Sequence, residues 1–310
     1  MKIVVTGSLG KISKPLAILL LKQGHAVTVI SSKAEKRPAI EAIGAQAAIG
    51  SLEDAGFLTS AFTGADALYA MIPFSFTEAD QTAYMHRIAN SYLQAIKQTG
   101  VKRVVVLSGW AADLIKGENV EGLFDSLTDT SVTVLRPASF YSNFYFSMDM
   151  IKGKGLIGKF LTLRYSGLWA LLTGKTGLLM GNCGGEDRMV FVSPLDIADV
   201  AAEELVSISL QQKTIRYVGS EEMTCNEAAK IIGTAVGKPW LKWVLISDQQ
   251  MLQGMKMAKM PDQLAELMVE MQAVNHSGAP LRNFHKHGTK MGKVKLKDFA
   301  KEFAAVYHQK

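Results

Sequence analysis

The sequence predicts an α/β fold, a doubly wound parallel sheet with a smaller C-terminal α/β lobe. Three observations predict it. A β-branched run, residues 2–6, leads straight into Gly7 and Gly10 and then into a helical segment. Strand-length apolar runs go on alternating with helical segments as far as Pro137. Gly24, Gly44 and Gly100 close three of those segments, as residues just past a helix C-terminus do. Such alternation implies right-handed crossovers and a sheet covered on both faces.

Each element has a local reason. After the first strand, Ser13 is placed to cap a helix and Pro15 suits its first turn. The second strand is 25–30, followed by a helical segment 35–43 and a third strand 45–49. A helix within 53–62, a fourth strand 67–72 and a long helix 78–99 follow, the last with Met85, Ile88, Ala89, Tyr92 and Ile96 at helical spacing. The fifth strand lies in VKRVVVLSGW and the sixth is 132–137. Beyond Pro137 the alternation lapses into a segment rich in aromatics and glycine, then returns as a strand and helix in MVFVSPLDIADVAAEEL. TIRYVGS is a further strand, and Thr224 with Glu227 forms a capping box for the next helix. One methionine-rich helix, 251–271, is expected to serve as core or lid. The domain expectation is a nucleotide-binding core over 1–150, completed by about 188–220, interleaved with a substrate or partner lobe over 151–310.

Composition narrows the classes. At 310 residues, 48% hydrophobic and 20% charged, the chain is long and apolar enough for an ample core. Its apolar stretches are interrupted by Lys152, Lys154, Lys159, Arg164 and Lys175, so none is a bilayer span and no membrane partner is expected. The first strand begins at the N-terminus without a signal-like segment, which with two cysteines implies a cytoplasmic protein. The net charge of +6 is concentrated beyond residue 280. That tail fits either a nucleic-acid footprint or a solvated terminal helix, 296–307, docked by Phe299 and Phe303. No helix-turn-helix, zinc finger or aromatic-basic array accompanies it, so no nucleic-acid partner is expected. His285-Lys286-His287 is a poor metal cage for want of nearby acids, and no metal is expected. Asp196 and Asp199 read as helix-start carboxylates rather than a catalytic pair.

The first strand, glycine loop, helix and second strand together form an anion-binding unit. Gly7 permits the turn and Gly10 lets a pyrophosphate approach the backbone at a helix N-terminus. TGSLGKIS, GSLEDAGFLTSAFTGADALYAMIP, VKRVVVLSG, LRPASFYSNF, FVSPLDIADVAAEEL and YVGSEEMTCNEAAKIIGTAVGKP recur in order. Together they resemble the NmrA-like group of atypical short-chain dehydrogenases/reductases. The resemblance covers nearly the whole chain. It implies a Rossmann core that binds NAD(P), and either a quinone or enone reductase or a protein that only senses the cofactor.

Position by position, the resemblance implies these roles. Gly7, Leu9, Gly10, Lys11 and Ile12 form the phosphate loop. Ser31, Ser32 and Lys33 read the adenosine ribose. Gly50, Ser51 and Leu52 form the adenine-side loop, with Ser51 standing where many relatives have Asp. Met71, Ile72 and Pro73 wall the nicotinamide ribose. Ser108 and Gly109 end the fifth strand, and Pro137, Ala138 and Phe140 lie beside the nicotinamide. Tyr141 and Asn143 are expected to face substrate.

One departure shapes the functional expectation. Active dehydrogenases of the wider superfamily use a Tyr-x-x-x-Lys pair, and no tyrosine in this chain has lysine four residues on. Lys116 either stands near the usual lysine position, without a tyrosine partner, or is a lone surface lysine, and the second reading is preferred. Ser108 either hydrogen-bonds a substrate oxygen or caps a strand end. The expected function is hydride transfer from NADPH to a flat conjugated carbonyl such as a quinone. The alternative is a non-catalytic NADP(H) sensor that binds a partner protein. NADP(H) is expected over NAD(H), because Ser31-Ser32-Lys33 with Lys36 and Arg37 offers hydroxyls and cations where an NAD-selective site offers an acid.

Overall fold

The computed structural model describes residues 1–115, 120–207 and 212–309. In chain order it begins β1 (Lys2–Val5), α1 (Ser13–Lys22), β2 (Ala26–Ser31), α2 (Arg37–Ala42), β3 (Gln46–Ile49), α3 (Ala55–Phe62), β4 (Ala67–Met71), α4 (Gln81–Thr99), β5 (Arg103–Leu107), α5 (Val120–Leu123) and β6 (Ser131–Pro137). There follow β7 (Ser139–Phe140), α6 (Met148–Lys152), α7 (Gly155–Leu172), β8 (Leu179–Gly181) and β9 (Arg188–Val192). Next come α8 (Pro194–Val206), β10 (Lys213–Val218), β11 (Glu221–Thr224), α9 (Cys225–Ala235) and β12 (Trp243–Leu245). Four helices finish the chain: α10 (Asp248–Met257), α11 (Asp262–His276), α12 (Ala279–Lys286) and α13 (Leu296–Gln309).

The chain divides into two compact units, Met1–Pro137 with Pro194–Val218, and Ala138–Ser193 with Gly219–Lys310. The boundary lies at Pro137 rather than near residue 150. β9, expected to complete the core, pairs instead with β7 and β11 in the second unit.

The first unit is built on a seven-stranded sheet in the order β10-β6-β5-β4-β1-β2-β3, parallel at every pairing. The order reverses direction between β1 and β4, and ligands of open α/β sheets bind outside the strand ends at such a point. Strands buried on both faces read as continuous apolar runs, which is why 3–5 and 104–106 are uninterrupted valine and isoleucine. Ile3, Val5, Val104 and Val105 are fully buried. The helices are terminated as their sequences require: Asp54 caps α3 through Phe57 N–H and Asp80 caps α4 through Ala83 N–H. Gly100 ends α4 in the left-handed conformation.

The second unit has its own core, in which Tyr141, Phe144, Phe191, Phe299 and Phe303 pack together. The Thr224–Glu227 capping box forms at the start of α9, and α13 docks through Leu296, Phe299 and Phe303. The single methionine helix does not form. It breaks over 258–261 into α10 and α11, where Lys259 has a positive φ and Pro261 cannot donate within a helix and restrains the residue before it. None of Met251, Met255, Met257, Met260, Met268 and Met271 is buried, so these thioethers are not core. His285 does have an acid nearby, its Nε2 lying 2.8 Å from Glu222 Oε2. No cluster of three or more potential metal-ligating side chains occurs among the described residues. Nor is any described helix long and apolar enough to cross a membrane.

Candidate active site

The phosphate loop connects β1 to α1. Gly7 has φ of +90°, and a Cβ there would lie 2.6 Å from Ser13 Oγ. Glycine is therefore required both by conformation and by the close approach of α1. Ser8 follows at φ of +55° and its N–H donates to Ile30 O at 2.9 Å, tying the loop to β2. Gly10 N–H donates to Gly7 O at 3.1 Å. A Cβ at Gly10 would stand 3.0 Å from that same carbonyl oxygen.

Ser13 does not cap α1. It is the first helical residue, and its Oγ donates 2.7 Å to Thr6 O at the end of β1. No side chain caps α1, whose N-cap is Ile12. The helix thus presents its N-terminus to the loop with only backbone in front of it, the arrangement that accepts an anion. Lys11 and Lys14 are exposed beside it. Leu9 is half-buried, whereas Ile12 is buried beneath the loop.

At the end of β2, Ser31 is buried and its Oγ accepts from Ser8 Oγ at 3.0 Å and from Lys33 N–H at 3.2 Å. Its hydroxyl is occupied in shaping the turn, whereas Ser32 and Lys33 are exposed. Gly50 N–H donates to Ser31 O at 3.0 Å. A Cβ at Gly50 would sit 2.6 Å from the Phe57 ring. Ser51 Oγ accepts from Glu53 N–H at 3.1 Å, which leaves its proton for another acceptor. Leu52 is half-buried against the sheet cluster.

At the end of β4, Met71 N–H donates 2.8 Å to Thr6 Oγ1 and Tyr92 OH donates 3.0 Å to Met71 O. These bonds fix the strand end from which half-buried Ile72 and Pro73 continue. The ends of β1, β2, β3 and β4 therefore carry the predicted phosphate, ribose, adenine and nicotinamide-ribose residues on one edge of the sheet.

At the end of β5 the serine is already engaged. Ser108 Oγ donates to Glu121 Oε1. Glu121 is buried and paired with buried Arg136, through Nη2 to Oε2 at 2.7 Å and Nε to Oε1 at 3.0 Å. Arg136 also reaches Asp113 at 2.9 Å and the Tyr217 hydroxyl at 3.0 Å. Burial works against the guanidinium charge, yet Glu121, Tyr217 and Asp113 together hold its pKa above the usual arginine value. Glu121 was missed in the sequence because nothing in KGENVEGLF pairs it with an arginine fifteen residues away. The available signal was Arg136 itself, a charge inside an otherwise apolar strand. Lys116 lies outside the described residues.

Pro137 ends the first unit, and half-buried Gly109 follows Ser108. Ala138, Phe140, Tyr141 and Asn143 belong to the second unit. Tyr141 does not face an open space. It is fully buried, its ring lies 5.7 Å from Phe299, and its hydroxyl is within 3.1 Å of Glu221 Oε2 and 3.2 Å of Val294 O. Tyr141 is expected to face substrate, but its ring is buried in the core of the second unit instead. Asn143 is exposed and Phe140 half-buried.

The fold and the loop together define a Rossmann-type dinucleotide-binding protein. Residues 7–143 match the NAD(P)H-binding family model, so the chain carries an NAD(P)H-binding domain. It is 24% identical over 280 residues, 88% of this chain and 86% of the relative, to an NAD(P)H azoreductase of Xenophilus azovorans. Its fold matches the NADPH-dependent quinone oxidoreductase of Escherichia coli solved with NADPH, at TM-score 0.73 and 18% identity over 97% of this chain and 99% of the other. It also matches the triphenylmethane reductase of Citrobacter sp. solved with NADP(H), at TM-score 0.70 and 18% identity over 98% and 100%. These relatives, in the group that the sequence resembles, are NAD(P)H-dependent reductases.

Proposed function

We propose that this protein is an oxidoreductase that transfers hydride from NADPH to a quinone or similar conjugated carbonyl, without a Tyr-Lys acid. The observation that carries the reading is the engagement of Ser108 with Glu121. A serine whose proton is given to a buried, arginine-paired carboxylate is a poor acid for a developing alkoxide. Hydride addition to a quinone gives a phenolate-like anion, whose conjugate acid has a pKa of roughly 10, and water can protonate it after transfer. Such a reaction needs a flat ring held against the nicotinamide more than it needs an acid. The quinone oxidoreductase among the structural neighbours supports the same class of substrate.

NADPH is the proposed reductant because the exposed end of β2 offers Ser32 and Lys33, with Lys36 and Arg37 following. Cations of this kind pair with a 2′-phosphate. The lack of an acid equally favours a second reading, a non-catalytic NADP(H) sensor with a protein partner. Stereospecific deuteride transfer from labelled NADPH to a panel of quinones, enones and aliphatic ketones separates them. Label in reduced quinone, with slow turnover of aliphatic ketones, is expected. Tight NADPH binding with no label in any acceptor rejects the reductase and leaves the sensor. Fast aliphatic ketone reduction rejects the acid-free mechanism.

A further inference from the structure

Helix α7 is turned the wrong way for a globular protein. A surface helix ordinarily buries its apolar stripe and exposes its polar one. Here the buried residue is Thr162, and the approach to the rest of the second unit is made by small groups. Thr162 Oγ1 donates to Gly158 O at 2.8 Å and accepts from Gly177 N–H at 3.4 Å. A Cβ at Gly158 would lie 2.4 Å from the Gly153 carbonyl carbon. The opposite face carries Leu156, Ile157, Phe160 and Leu163, exposed by 87%, 72%, 59% and 44%. Their spacing of i, i+1, i+4 and i+7 makes one continuous stripe. After a break at Gly167, where φ is +86°, Trp169 and Leu172 are exposed by 76% and 70%.

The charge around this stripe is of one sign. Between Asp149 and Glu186 the sequence has five lysines or arginines and no acid. Lys159 flanks the stripe on one side and Arg164 continues its face one turn beyond Phe160; both are exposed, as are Lys154 and Lys175 near the ends of the helix. Long cationic side chains can lie along apolar surface and keep their heads in water. An apolar face set among cations, with an exposed tryptophan, matches the chemistry of an anionic lipid surface. A second copy of this chain matches it poorly. Pairing the face with itself would set cations against cations, with no acid in the segment to offset them.

We propose that α7 is an interfacial helix that docks this protein on the surface of an anionic phospholipid bilayer. Leu156, Ile157, Phe160 and Leu163 enter the acyl boundary, and Lys159 and Arg164 meet lipid phosphates. That the docked enzyme would draw a lipid-soluble quinone rests on the reductase reading above; the docking itself does not.

Flotation of the full-length protein with vesicles tests it, using phosphatidylcholine alone and phosphatidylcholine mixed with phosphatidylglycerol. Binding to the mixed vesicles, lost as salt is raised, is expected, with a blue shift in fluorescence that disappears in Trp169→Phe. Phe160→Asp should lower partitioning at least about tenfold, and Lys159→Gln about fivefold. Both side chains are exposed, so far-ultraviolet circular dichroism should be unchanged. No partitioning into anionic vesicles overturns the proposal, as does Phe160→Asp binding like wild type. Dissociation of an oligomer by Phe160→Asp, without vesicle binding by wild type, assigns the face to a second copy instead. NADPH oxidation with a water-soluble quinone is measured in parallel. If that reaction is absent while vesicle binding persists, the reductase reading fails and the docking stands.

Discussion

Removing Glu121 tests whether the buried ion pair at the end of β5 and β6 is a unit. In Glu121→Ala, Arg136 keeps Asp113 at 2.9 Å and Tyr217 at 3.0 Å but loses both bonds to the carboxylate. Ser108 Oγ loses its acceptor as well. The Arg136 side chain is 6% exposed, so water cannot replace the lost partner. Breaking one side of a buried pair costs about 3–5 kcal/mol. The surviving Asp113 contact places the expected loss toward the lower end. At about 2–4 °C per kcal/mol for a unit of this size, the thermal midpoint should fall by at least about 6 °C. Urea and thermal unfolding, followed by far-ultraviolet circular dichroism, measure it. The double variant Glu121→Leu/Arg136→Met should recover much of the loss, because it leaves no uncompensated guanidinium. A change within about 0.5 kcal/mol for Glu121→Ala, the range of exposed substitutions, would refute the reasoning.

Four further outcomes are expected. Gly10→Val should abolish NADPH binding in a calorimetric titration, because its Cβ meets the Gly7 carbonyl oxygen at 3.0 Å and its methyls enter the phosphate approach; normal binding would misplace the site. NADPH should bind more tightly than NADH, and Lys33→Ala should weaken NADPH selectively; equal loss for both cofactors would remove Lys33 from the 2′-phosphate. Ser108→Ala should slow quinone reduction at most about tenfold, since a single hydrogen bond is worth about 1 kcal/mol, and a larger loss in kcat would make Ser108 a proton donor after all. Burial alone would raise the Glu222 carboxyl, but His285 and Arg188 hold it below its ordinary value. Its contribution to stability is therefore fully present only above the ordinary carboxyl value of 4.5 and lost as pH falls through the lowered folded value, so Glu222→Gln should flatten the acid limb of midpoint against pH.

The sheet of the first unit was legible in the sequence because its signals are local. Valine and isoleucine runs and the glycines past three of the helices are all read within a few residues. The phosphate loop was legible for the same reason, since Gly7 answers to its own backbone angle. What lay beyond reach depends on partners distant in the chain. Ser13 looks like a cap until Thr6 O is set beneath it, and Ser108 reads as a substrate donor or a strand cap until Glu121, held by Arg136, takes its proton. Tyr141 is expected to face substrate, but its ring finds Phe299 more than a hundred and fifty residues away. β9 reads as the next strand of the parallel sheet, yet β11 offers it an antiparallel partner. The stripe on α7 shows the limit most directly. The sequence there reads only as rich in aromatics and glycine, and the side the helix faces was decided by how closely Gly158 and Thr162 let it approach its neighbours. Local propensity and pattern determined the elements and the cofactor loop, while long-range packing decided which polar groups remained available for chemistry.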